Sequence, residues 1–206
     1  MTMTGKITAA LATAALLAAA PVSAGNKLVP RGVKVSVAKS GLTVNPDREW
    51  NKMGARSGRN SETWTIDGDG LNDVTFYGGI ANDSTLFREV NKRAKPLPRF
   101  ASTMLLTDIP ALFENSYSIA LDTQVMKIES VQPTTFLDAR GIKFSFTFSR
   151  LNEEVRRKGE ASAAIIDGKL YMITFEAPDV YYFARDVSAY RAIVASATIA
   201  AVAGGK

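Results

Sequence analysis

Histidine and cysteine are both missing from this 206-residue chain, and that double absence restricts its chemistry more than any residue present. There can be no Ser-His-Asp or Cys-His nucleophile system, no His-containing zinc site, no iron–sulfur cluster and no His-ligated haem. Acid–base work falls to carboxylates, lysines and tyrosines. Glu160, Asp167, Glu176 and Asp179 lie near a hairpin in the C-terminal part of the chain, and two carboxyl groups flanking a glycosidic bond can act as acid and base. The run Asp67-Gly68-Asp69-Gly70-Leu71-Asn72-Asp73 sets oxygen-bearing side chains at alternate positions, in the manner of a calcium loop. It departs from that template at Leu71, at Asn72 (which replaces the required glycine) and at Gly78, where a bidentate glutamate belongs. A hairpin turn accounts for Asp-Gly-Asp-Gly without an ion. No metal and no cofactor is expected.

The remaining functional candidates bind instead of react. Lys92, Arg93, Lys95 and Arg99 form the densest basic cluster, and Arg156, Arg157 and Lys158 a second. Either suits an acidic protein surface or an anionic envelope component. Trp50, in a polar segment, is the candidate for stacking on a partner, whereas Trp64 falls in a strand pattern and reads as core. No G-x-S-x-G and no glycine-rich phosphate loop occurs. Nucleic acid is not an expected partner: the formal net charge of +5 is mild and no recognition motif is present.

The elements that must hold these residues are mostly strands. Ile142, Phe144, Phe146 and Phe148 alternate with Lys143, Ser145, Thr147 and Ser149, one apolar face and one polar. Residues 161–166 and 169–175 flank Asp167-Gly168, a two-residue loop of the kind that makes a type I′ turn. Both faces of the second strand are apolar, which predicts cover on both sides. Ala177-Pro178 ends that strand. A helix is predicted from Asp186, with Asp186 or Ser188 as N-cap and Val187, Tyr190, Val194 and Ala197 as its apolar stripe. Asp108 and Pro110 predict the start of an earlier helix that buries Leu112, Phe113 and Tyr117. Strands are also predicted over 62–66, 71–77 and 123–131, a charged turn over 153–160, and a proline-broken connector over 91–99.

The N-terminus stands apart. Lys6, an apolar run over 7–20 and Val22-Ser23-Ala24 form the pattern of a secretory signal peptide cut after Ala24. The apolar run is shorter than the ~20 residues a spanning helix needs, so no transmembrane segment is expected after cleavage. Residues 25–206 then form a single domain, with an N-terminal hairpin over 33–45 and a mobile loop over 46–61. Without cysteine it carries neither disulfide nor lipid anchor. A periplasmic or secreted location follows.

Two stretches carry a resemblance. The run SETWTIDGDGLNDVTFYGGI, followed by LPRF and Met104, resembles an uncharacterised family of secreted proteobacterial proteins. The ending GKLYMITFEAPDVYYFARDVSAYRAIVASA is similar to the last strands and helix of the PsbP-like fold, shared by an extrinsic photosystem subunit and by bacterial envelope proteins. The resemblance implies an α+β fold: an antiparallel β-sheet flanked by helices, an α/β/α sandwich. It implies no catalytic residue. The expected function is an exported, non-enzymatic binding or accessory protein of the bacterial cell envelope. The alternatives are a carboxylate-based hydrolase of envelope polysaccharide and a carrier of a small apolar ligand.

Overall fold

The computed structural model describes residues 25–121, 125–150 and 153–199. The N-terminal half opens with four short strands, β1 (Lys27–Val29), β2 (Val35–Ser36), β3 (Leu42–Val44) and β4 (Trp50–Lys52). Two longer ones follow, β5 (Ser61–Thr65) and β6 (Asp73–Ile80). An irregular stretch and a single 3-10 turn lead into α1 (Ile109–Ala120). The second half is a meander of β7 (Val125–Phe136), β8 (Ala139–Ser149), β9 (Arg157–Ile166) and β10 (Lys169–Pro178). It ends with α2 (Tyr182–Ser196) and β11 (Thr198–Ile199).

Eight strands form one antiparallel sheet in the order β1-β4-β5-β6-β10-β9-β8-β7. Local turns build its second half. Asp167 and Gly168 both take positive φ (50° and 69°), which matches a tight turn to the twist of its strands. Leu137 and Asp138 do the same between β7 and β8, at 56° and 58°, with no glycine in the sequence to announce it. The halves join where β10 pairs with β6, Phe175 opposite Val74 and Glu176 opposite Asp73. Because β10 is central, both of its faces are buried, as its two-sided apolar pattern requires.

One face carries Leu170 and Met172 against Phe144, Phe146, Phe148 and the α1 residues Ile109, Phe113 and Tyr117. The Phe113 ring lies 5.1 Å from that of Phe146 and 5.7 Å from that of Phe144, in tilted contacts that favour aromatic pairs. The phenylalanine row is therefore core. The opposite face carries Ile173, Phe175, Trp64 and Phe76 against Tyr190 and Ile193 of α2. A small sheet, β11-β3-β2, covers part of that face too. The fold is thus a sheet-dominated α+β arrangement whose outer layers are helical only in part.

The 33–45 hairpin forms as expected, as β2 and β3, and pairs with β11 in the small sheet. Several other expectations need correction. The 46–61 segment carries β4, bonded between β1 and β5, so it is part of the sheet and not simply a loop. Residues 157–160 lie in β9, not in a charged turn. The last helix starts at Tyr182, and Asp186 is a buried residue within it instead of its cap. The signal-peptide pattern, the first two residues of the 123–131 strand and the 200–206 tail lie outside the described residues. Among the described residues, no helix is long and apolar enough to cross a membrane.

Candidate functional site

Two recesses flank the segment between β4 and β5. The larger is an open basin of about 830 Å³. Lys39 comes to it from the β2–β3 turn, Arg56 and Arg59 from the β4–β5 segment, and Arg88 and Arg99 from the irregular stretch after β6. Backbone bonds set this arrangement: Arg88 N–H donates to Ser57 O at 2.7 Å, and Gly78 N–H to Asn60 O at 2.9 Å. Gly58 allows the close approach, since a Cβ there would lie 2.3 Å from Leu86 O. Arg99 is clasped by Glu89 at 2.9 Å and by Asp83 at 3.5 Å. Lys39, Arg56, Arg59 and Arg88 have no carboxylate within ion-pair distance among the described residues. The basin thus holds cations without a carboxylate partner, a ready surface for anions.

The smaller recess, about 260 Å³, opens on the other side of Arg56. Its floor is the β5-β6-β10 part of the sheet, where Thr63, Thr75 and Thr174 stand in a row across three strands. Thr63 and Thr75 share a hydrogen bond of 3.0 Å. Beyond the threonines, Asp73 and Glu176 face each other directly. Tyr117 O–H donates to one Glu176 oxygen, and Arg150 donates to the other at 3.2 Å. Burial pushes the Glu176 carboxyl up, against the opposing pull of the Tyr117 hydrogen bond and the Arg150 charge. Asp73 has less help. Burial, then the neighbouring Glu176 charge, raise it to about 7, against the Gly70 N–H at 2.9 Å and the more distant Arg150 charge. Burial and the Glu176 charge also push the Tyr77 and Tyr117 phenols upward.

The residues singled out from the sequence fare unevenly. Trp50 is fully buried, because β4 turns its ring into the core beside Val29 and Trp64, so it cannot stack on a partner. Arg99 reaches the basin, but two acidic neighbours hold it. Lys92, Arg93 and Lys95 lie on an exposed turn outside the basin lining. The second cluster is dispersed by strand alternation. Arg157 points inward and is buried, donating to Gly70 O and pairing with Glu153 at 3.1 Å. Arg156 and Lys158 point outward and pair with Glu129 and Asp179.

The four hairpin carboxylates do not converge. Glu160 faces α2 and pairs with Arg191, whereas Glu176 lies on the opposite face against Tyr117 of α1. Asp167 is at the hairpin tip and Asp179 beyond the far end of β10. The Asp-Gly-Asp-Gly run is a turn, organised by Asn72, whose Oδ1 accepts from Thr65 Oγ1, Ile66 N–H and Asp67 N–H at 2.8–3.0 Å. Sequence reasoning missed Lys39, Arg56, Arg59 and Arg88, and placed Asp73 in a calcium-like run and Tyr117 in a helix stripe without bringing either to a recess. The one visible signal was the density of arginine between Arg48 and Arg59.

The solution structure of cyanobacterial PsbP (CyanoP) from Synechocystis sp. PCC 6803 matches this fold with a TM-score of 0.54 at 12% identity, covering 89% of this chain and 99% of that one. The fold is PsbP-like. LpqN of Mycobacterium tuberculosis, involved in cell envelope biogenesis, aligns with a TM-score of 0.33 at 11% identity over 84% of this chain and 91% of its own, too low to carry an argument. No family model matches the sequence, and no curated protein does. The shared fold transfers no activity.

Proposed function

We propose that this is a non-enzymatic accessory protein of the bacterial cell envelope that holds an acidic segment of a partner protein in the Arg56–Arg59–Arg88 basin. The observation that carries the reading is the set of unpaired cations Lys39, Arg56, Arg59 and Arg88 around one open basin. Surface arginines usually find a carboxylate or scatter over the surface. Three that converge without one leave a local positive potential that steers and orients an anionic partner. The basin is open and, at about 830 Å³, far larger than a single small anion, which favours a peptide segment. The signal-peptide pattern of residues 1–24 supports an envelope location. The absence of histidine and cysteine, with the scattering of the hairpin carboxylates, supports a binding role.

The test is fluorescence anisotropy with a labelled hexaglutamate peptide, hexaglutamine as the neutral control, and vesicles containing phosphatidylglycerol as a competing anionic surface. Saturable hexaglutamate binding is expected, weakening with added salt and at least tenfold weaker in the Arg59→Ala/Arg88→Ala variant. Equal binding of hexaglutamine, no effect of the double variant, or capture by the vesicles alone would overturn it.

A further inference from the structure

Asp73 is 6% exposed, yet half of its carboxylate is unused. Oδ2 accepts the Gly70 N–H, whereas Oδ1 meets no hydrogen-bond donor. Buried acceptors are almost always satisfied, and one left without a donor is destabilising. The neighbouring Glu176 shows the contrast, since both of its oxygens are taken up by Tyr117 and Arg150. That oxygen is itself sealed from solvent, on a residue that lines the 260 Å³ recess, so a turn of the Asp73 carboxylate must present it to an occupant. That volume lies below the ~300–1,000 Å³ of common ligand pockets, so an occupant must be small.

We propose that this recess binds a small molecule with a primary ammonium group, its N–H donors on Asp73 Oδ1 and its apolar part between Tyr77, Phe87 and Leu121. Three features select that chemistry. The missing element at Asp73 is a donor, and the residue has no cationic partner among the described residues. Three carboxylates, Asp69, Asp73 and Glu176, line the recess against two guanidinium groups, Arg56 and Arg150. A positive guest therefore balances the lining. The remaining walls are threonine hydroxyls and apolar side chains, which suit a short hydrocarbon or aromatic tail. A bare divalent ion fits poorly. Calcium requires six to eight oxygen ligands, and no group of three or more acidic residues is placed to hold an ion among the described residues.

Protons compete with the ammonium for Asp73. The groups facing it are Glu176 on β10, Asp69 on the preceding turn, Arg150 beyond β8, Arg157 on β9, Tyr77 on β6 and Tyr117 on α1. The ionisation of Asp73 falls near neutrality. Binding is therefore expected to strengthen as pH rises through 7.

The experiment is calorimetric titration of the whole protein with benzylammonium, with benzyl alcohol as the uncharged isostere, at pH 8 and pH 6. Saturable benzylammonium binding is expected at pH 8, at least tenfold tighter than benzyl alcohol, and about tenfold weaker at pH 6 as Asp73 takes its proton. Asp73→Asn, which keeps an acceptor for Gly70, is expected to lose at least tenfold and to leave hexaglutamate binding at the basin intact. Absent or alcohol-equal binding, or unchanged binding in Asp73→Asn, would sink the proposal. If that variant does not fold, the wild-type alcohol and pH comparisons decide it.

Discussion

Asn72, on the turn before β6, donates from Nδ2 to Asp186 Oδ2 at 2.9 Å and so ties that turn to the second turn of α2. Both side chains are fully buried. Asn72 also bonds Asp67 Oδ2 at 2.7 Å and accepts three donors through Oδ1, which leaves it fully satisfied. Asp186 receives Arg48 at 3.3 Å and Arg185 besides. The motif that resembles a calcium loop is therefore a neutral amide bracket between sheet and helix.

Replacing Asn72 by alanine strands two backbone N–H groups, and takes one donor from a buried carboxylate. The expected cost is on the order of 3 kcal/mol. Urea denaturation checks it. Asn72→Asp is expected to cost more, since it sets a second negative charge against Asp186.

Gly159 lies under the ring of Phe146, and a Cβ there would come within 2.1 Å of the ring. Gly159→Ala should overpack the α1 side of the sheet and cost about 1–3 kcal/mol. A loss of that size in thermal or urea unfolding, restored in part by also changing Phe146 to Leu, is the expected pattern.

Trp50 and Arg88 separate folding from binding. Trp50→Ala removes a fully buried ring and should cost about 3–5 kcal/mol. Its indole N–H meets no acceptor, so Trp50→Phe should cost much less. Arg88→Ala on the exposed basin rim should leave stability within about 0.5 kcal/mol and weaken hexaglutamate binding. Denaturation and anisotropy on the same three proteins read both effects.

The pH dependence of stability carries the signature of Asp73. An aspartate ionises near 3.8 when unfolded, and Asp73 near 7 when folded. Between those values the folded protein keeps a proton that the unfolded chain has lost, so stability falls as pH rises. The expected slope from this group is about 1.4 kcal/mol per pH unit, levelling off above about 7. Asp73→Asn should flatten it. Urea midpoints of both proteins from pH 5 to 8 make the comparison.

Much of the fold is legible in short-range pattern. The alternation of Ile142, Phe144, Phe146 and Phe148 marks which face of β8 is buried, because side chains in a strand repeat every two residues. Asp167-Gly168 announces its turn, and Asp108 with Pro110 the start of α1. The helix at the end is harder to place. Its first turn, Tyr182 to Arg185, has none of the usual starting signals, and Asp186 resembles a cap while serving as a buried partner of Asn72.

By itself, the sequence determined the class of chemistry open to the protein, the meander with its central two-faced strand, and the residues of the phenylalanine core. Those are properties of composition and of neighbours a few residues apart. Only the tertiary structure decided that Trp50 is buried, that Arg157 faces inward, and that Lys39, Arg56, Arg59 and Arg88 share one basin. It also decided that Asp73 meets Glu176, through the pairing of β6 with β10. Burial and charge pairing depend on which distant strand arrives alongside and in which register. That is settled by the summed packing of both sheet faces, and it leaves no mark at any single position.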